Sequence, residues 1–129
     1  FYIKTAADIT EYNGTDKNWM NIMINTVSEE TGFCGYDYFI NRTPSNDGTT
    51  SVERASGGYN FTDAGKAEYK VFGNVMVVTV PLETLGLTSN SCYIRFKVAD
   101  NVQNPEDIMN YYISGDSAPI GRLSYSYGA

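Results

Sequence analysis

Residues 92–99 read CYIRFKVA, the clearest secondary-structure signal in the chain. The apolar side chains Cys92, Ile94, Phe96 and Val98 alternate with Tyr93, Arg95 and Lys97. Because successive side chains of a β-strand point to opposite faces, a period of two predicts a strand with one face inward and the other outward. We therefore expect Arg95 and Lys97 to lie on an outward, solvent-facing surface.

Similar patterns recur on both sides of this segment. Further strands are predicted at residues 1–5, 19–26, 36–42, 50–55, 67–72, 75–80, 108–113 and 121–127. In residues 19–26 (WMNIMINT) the alternation separates Met20, Ile22 and Ile24 from Trp19, which shares the other face with asparagines. Trp19 allows two interpretations, a partly exposed ring that binds a sugar or a core or edge ring that packs against loops.

Turn signals separate these strands. The sequence TPSNDG at 43–48 and the pair Gly73-Asn74 predict tight turns, and residues 81–87 (PLETLGL) predict a single helical turn closed by Gly86. Many short strands with one polar face are typical of antiparallel sheets. The sequence therefore predicts an all-β fold, an antiparallel β-sandwich of jelly-roll type.

The composition agrees with one domain spanning residues 1–129. The chain contains eleven Tyr and six Phe, and only 19% of its residues are charged. Aromatic residues favour pleated strands, and this length can enclose a hydrophobic core. Because the chain opens at Phe1, inside a predicted strand and without Met, we expect it to be excised from a larger secreted protein.

The charge pattern excludes several functions. A net charge of −6 has the wrong sign for binding nucleic acid or anionic membranes, and no apolar run approaches the ~20 residues that span a bilayer.

The absence of His excludes a Ser-His-Asp triad, a Cys-His nucleophile and a His-based zinc site. Cys34 and Cys92 allow two interpretations, a disulfide or two buried thiols.

Four motifs resemble a known family. They read NWMN at 18–21, GYDYFINR at 35–42, FKVADN at 96–101 and SGDSAPIGR at 114–122, with YIKT at 2–5 before them. In this order, over nearly the whole chain, they resemble carbohydrate-binding family 9-like β-sandwich modules. Such modules are appended to secreted bacterial glycoside hydrolases and other surface proteins. Members usually carry an additional amino-terminal segment that holds the first strands.

The resemblance implies a sugar site between two aromatic rings, which in this family are often both Trp. Only Trp19 is available, so either a Tyr provides the second ring or the clamp is lost. Tyr112, beside a polar loop, is the preferred platform, whereas Tyr125 and Tyr127 share a face with Leu123 and are expected in the core.

Charged residues complete the candidate site. Arg95, Lys97 and Arg122 can donate hydrogen bonds to sugar hydroxyls, although a solvated charged face is the ordinary role of such residues. For Arg122, an ion pair with a nearby aspartate is the more ordinary role.

An acidic set suggests calcium. The residues Asp37, Asp100, Asn101 and Asp116 carry the oxygen ligands that Ca²⁺ prefers. Related modules often hold structural ions, so the resemblance implies a calcium site, although Asx-turns explain the same residues. No EF-hand spacing is present.

Function follows as a hypothesis. We expect a non-catalytic accessory module, extracellular or on the cell surface, that binds an oligo- or polysaccharide and is covalently linked to catalytic or surface domains. The alternative is a structural or adhesion module that binds no glycan. Catalysis is not expected, because no carboxylate is distinguished by an apolar environment that would make it a catalytic acid.

Overall fold

The computed structural model describes residues 1–27 and 32–128, and it consists of strands, loops and two short 3₁₀ helices. The strands are β1 Tyr2–Lys4, β2 Asn21–Asn25, β3 Tyr38–Ile40, β4 Thr49–Gly57, β5 Asn60–Phe72, β6 Val75–Thr79, β7 Ile94–Asp100, β8 Asp116–Ala118 and β9 Tyr125–Tyr127. The 3₁₀ helices span Leu82–Leu85 and Ile108–Tyr112. Within the described residues, no helix has the length and hydrophobicity needed to cross a membrane.

The strands form one antiparallel sheet of nine strands. Strands β2 to β6 follow one another as a meander, β1 joins the far side of β6, and β7 joins the far side of β2. The short strands β8 and β9 both pair with β7, β8 at its carboxyl end and β9 at its amino end. The predicted all-β, antiparallel, sandwich-like class is confirmed.

The sheet curls until its two ends meet. Strand β1 lies at one end of the strand order and β7 lies next to the other, yet the ring centroids of Phe1 and Phe96 are only 5.2 Å apart. Alternating apolar residues of the strands fill the space inside the curl. Its most deeply buried members are Ile22, Ile24, Ile40, Val52, Met76 and Val78. Burying each such side chain stabilises the fold by about 1.5–3 kcal/mol, which explains why the alternation persists along the chain.

A second cluster lies on the outer face of the sheet. Met23, Phe39 and Ala99 point outward from β2, β3 and β7, and they are buried nonetheless. Side chains from a loop and from the second 3₁₀ helix cover them, among them Phe33 and Tyr111. The middle of the outer face is therefore buried and apolar, although the alternation predicts a polar, solvent-exposed surface there.

Hydrogen bonds from Asn41 hold the irregular backbone that precedes β2. Met20, directly before this strand, has a left-handed backbone with φ of 47°. The buried Asn41 donates from Nδ2 to the carbonyls of Trp19 (3.1 Å) and Met20 (3.0 Å), and it accepts from Thr50 Oγ1 at 2.7 Å. Because buried carbonyls require partners, this amide determines how residues 18–20 leave the sheet.

Two predicted elements near the carboxyl end are wrong. Residues 108–113, predicted as a strand, are mostly a 3₁₀ helix, because the Asp107 side chain caps it by accepting from the Met109 N–H at 3.0 Å. The final strand begins at Tyr125 and not at residue 121, and β8 was not anticipated. The helical turn closed by Gly86 is confirmed, with φ of 67° at that glycine.

Candidate functional site

An open trough lies where the two ends of the curled sheet approach each other. It has a volume of about 980 Å³. Strands β1 and β6 form one wall, and β7 with β8 and β9 forms the other. Its floor is apolar and includes Ile3, Val78, Leu85, Ile94 and Phe96. The trough is a direct consequence of the curl, because no described strand bridges β1 to β8 or β9.

Two tyrosine rings stand at the margin of this trough. Tyr125 and Tyr127 are 49% and 65% exposed, and they pair with Phe96 and Ile94 of β7. The Tyr125 ring centroid lies 5.6 Å from that of Phe96. The rings therefore continue the inner face of the sheet beyond the point where anything covers it. The expectation that both are core residues is wrong, because β9 is an edge strand.

The trough continues at one end into a second hollow of about 710 Å³. The two spaces share Cys92, Leu82 and Tyr127. The hollow adds polar side chains that the trough floor lacks, those of Ser89, Asn90 and Ser126, and a further exposed ring, that of Tyr93. The Tyr93 hydroxyl donates to Ser126 Oγ at 3.3 Å.

The opposite end of the trough is acidic. Asp100 and Asp116 are paired across β7 and β8, and both line the trough. Asp100 accepts from the Met20 N–H at 3.0 Å. Burial, together with the neighbouring charge of Asp116, raises the pKa of Asp100 above its usual range. Both carboxylates stand on the same wall, because their strands are neighbours.

The structure supports the second interpretation of Trp19, a core ring that packs against a loop. This side chain is 6% exposed and belongs to the core inside the curl. Its Nε1 donates to the Thr10 carbonyl at 2.9 Å, and its ring packs on Tyr12 with centroids 5.3 Å apart. The alternation fails at this position because the left-handed backbone of Met20 turns the preceding residue to the inner side.

Lys97 is also buried, contrary to the expectation of a solvent-facing amine. It has no exposed surface although it lies on the outer face of β7. Its Nζ donates to the carbonyl of Pro119, in the segment between β8 and β9. Burial lowers the pKa of Lys97 to about 8. A side chain enclosed in this way offers no atom to a ligand at the surface.

The remaining predicted sugar-binding residues are at the surface but outside the trough. Tyr112 is 48% exposed, and Arg95 and Arg122 are exposed as well. The Tyr112 ring packs closely against Gly121, where an added Cβ would lie 2.0 Å from it. None of these three residues is among those that line the trough or the hollow. The structure therefore divides the predicted set between core, outer face and loop.

The four predicted calcium ligands do not form one group. Asp37 accepts from the Thr26 N–H at 2.8 Å and from the Thr26 hydroxyl, while the Asn101 side chain accepts from Gln103 Nε2 at 3.1 Å. Across residues 1–27 and 32–128, no cluster of three or more His, Cys, Asp or Glu side chains is arranged to hold a metal ion. Calcium stays a prediction from the sequence.

Comparison with protein-family models, with curated proteins and with solved structures gives no match to this chain. The resemblance to carbohydrate-binding family 9 modules therefore stays a prediction that rests on the four motifs.

Proposed function

We propose that this chain is a non-catalytic, secreted module that binds carbohydrate in the trough, and that it is covalently linked to catalytic or surface domains. The observation that carries the proposal is the pair of half-exposed rings, Tyr125 and Tyr127, at the margin of an open apolar trough. A pyranose presents a C–H face that stacks on an aromatic ring, and hydroxyls that need polar partners. Asp100 and Asp116 at one end, and Asn90 in the hollow, supply such partners.

The acidic end of the trough supports binding without catalysis. Glycosidases need two carboxyl groups that flank the scissile bond. Asp100 and Asp116 instead stand side by side on adjacent strands of one wall. A sugar in the trough would meet both carboxylates from the same side, so neither is placed to act opposite the other.

Affinity electrophoresis against a panel of plant and microbial polysaccharides tests the proposal. We expect retardation of the wild-type chain, and dissociation constants raised about tenfold by Tyr125→Ala or Tyr127→Ala, the loss of one stacking ring. Tyr112→Ala is the matched control, because that ring is 48% exposed against 49% for Tyr125 but lies outside the trough. Equal losses for all three variants, or no retardation on any polysaccharide, would refute the proposed site.

A docking module is the second candidate, and the free edge of β1 favours it. Phe1 and Val78 exchange backbone hydrogen bonds, so the alternation of an antiparallel ladder directs the N–H and C=O groups of Tyr2 and Lys4 away from β6. No described strand pairs with that edge. An extended segment of a linked domain would satisfy these groups and cover the apolar floor.

Amide hydrogen exchange distinguishes this candidate. If a linked domain docks on β1, the amides of Tyr2 and Lys4 exchange fast in the chain alone and slowly in the polypeptide that carries its neighbouring domains. Unchanged exchange at both amides contradicts docking at this edge and leaves the glycan proposal unaffected.

A further inference from the structure

We infer that the trough takes an internal stretch of a linear glycan chain, rather than a single sugar or a chain end. This inference rests on the proposed function and adds the length and presentation of the ligand. Three features of the trough carry it: its length, the spacing of its rings, and the position of its polar groups.

The trough is much longer than one sugar ring. It follows β7 from Ile94 to Asp100, and a strand advances about 3.3 Å per residue, so this wall is about 20 Å long. Beyond Ile94 the hollow extends the path further, because Cys92 and Tyr127 line both spaces. A single pyranose would leave most of this apolar wall in contact with water.

The rings are arranged in series along the wall. Tyr125 and Tyr127 are two residues apart on one strand, so their side chains share a face and their Cα atoms lie about 7 Å apart. That separation is comparable to the length of one sugar unit. Two rings in series therefore contact neighbouring units of a chain, whereas a ring pair that clamps one sugar must face each other across it.

The polar groups lie at opposite ends of the apolar floor. Asp100 and Asp116 are at the carboxyl end of β7, and Asn90 is beyond its amino end. Only a ligand that spans the floor reaches both sets. Since the path continues from the trough into the hollow, the ring at Tyr127 does not stop the chain at a terminal sugar.

Calorimetric titration with a homologous series tests this inference. The probes are β-1,4-linked gluco- and xylo-oligosaccharides from the single sugar to the hexasaccharide, and the same hexasaccharides with the terminal aldehyde reduced by borohydride. We expect the dissociation constant to fall by at least about tenfold from the monosaccharide to the longer members, and reduction of the terminus to change it by less than about twofold. Asn90→Ala should weaken the hexasaccharide and spare the disaccharide, while Asn46→Ala, an exposed asparagine on the turn before β4, should change neither.

Each contrary result has a separate meaning. A monosaccharide that binds as tightly as the hexasaccharide, or a hexasaccharide that loses its affinity on reduction, overturns the inference but leaves carbohydrate binding intact. No binding to any member of the panel or of the series overturns both. Binding of a synthetic peptide of alternating valine and lysine, with no glycan bound, would assign the trough to a polypeptide strand.

Discussion

Lys97 provides the sharpest test of the structure, because its burial makes the stability of the fold depend on pH in a particular direction. The amine has no exposed surface, and the hydrogen-bond partner that the structure gives it is the neutral carbonyl of Pro119. Burial lowers its pKa from 10.5 to about 8. Between those values the folded chain binds fewer protons at this site than the unfolded chain, so the free energy of unfolding rises with pH.

The magnitude follows from the size of the shift. A difference of one pKa unit corresponds to about 1.36 kcal/mol. Lys97 gives the full slope of stability against pH from about pH 8 to about pH 9.5. The free energy of unfolding of the wild type should therefore rise by about 2 kcal/mol between about pH 7 and about pH 9.5. In Lys97→Met the new side chain has a similar length but does not titrate, so the variant should not show this rise in stability with pH. At neutral pH the variant no longer buries a charge but leaves the Pro119 carbonyl without this donor, a cost of about 1–3 kcal/mol, so the two effects partly cancel there.

The assay is urea unfolding of wild type and Lys97→Met at both pH values, followed by tyrosine and tryptophan fluorescence. Burial raises the pKa of Tyr36, Tyr59 and Tyr111, and these shifts oppose the effect of Lys97 at alkaline pH. Both proteins contain these tyrosines, so their contribution cancels when the free energies of unfolding of wild type and variant are subtracted. Lys66→Met, at an exposed position of β5, is the control and should follow the wild type, because exposed charges interact weakly. Parallel curves for wild type and Lys97→Met would refute the burial of this amine.

Two further predictions concern stability. Asn41→Ala removes an amide that bonds two buried carbonyls and a buried hydroxyl, and it should lower the free energy of unfolding by about 2–4 kcal/mol in urea titrations, whereas the exposed Asn46→Ala should stay within about 0.5 kcal/mol of wild type. Gly121→Ala places a Cβ 2.0 Å from the Tyr112 ring at φ of 62°, and it should cost more than Gly58→Ala, which has φ of 55° and no atom within 4 Å. Because both share the left-handed cost of about 1–2 kcal/mol, equal losses would contradict the packing of that ring.

Local sequence was sufficient to predict most of the strands as far as β7. The alternation at 92–99 gives β7 with the correct faces, since Ile94 and Phe96 point into the curl, and the Gly73-Asn74 turn leads into β6 as expected. These features depend on side-chain direction and turn geometry within a few residues. They can therefore be predicted without knowledge of any long-range contact.

The position of Trp19 could not be predicted in the same way. Its side depends on the left-handed backbone of Met20, and that conformation is held by the amide of Asn41, 21 positions further along the chain. The periodic pattern within residues 19–26 carries no information about the hydrogen bond from Asn41, which lies outside that segment. A non-glycine residue before a strand is ordinarily assumed to continue the pleat, and that assumption reversed the face assigned to the lone tryptophan.

Lys97 and Tyr127 were misplaced for one common reason. Alternation determines which face of a sheet a side chain occupies, but not whether another part of the chain covers that face. The outer face is covered at Lys97 by the segment that contains Pro119, while the inner face is uncovered at Tyr127 because β9 is the last strand beside β7. A charged side chain is consequently enclosed, and an aromatic ring is left at the surface.

This reversal also explains where a binding surface can arise in such a fold. Side chains in the middle of the curl must be apolar to hold the sheet together, so they cannot change without loss of stability. At the open edge, Tyr125 and Tyr127 keep the apolar character of the inner face but contribute little burial, because they are 49% and 65% exposed. Replacing either should therefore change affinity far more than stability, the opposite of what a replacement of Trp19 should do. A trough edged by rings that the core does not need is a surface that the fold leaves available for a ligand.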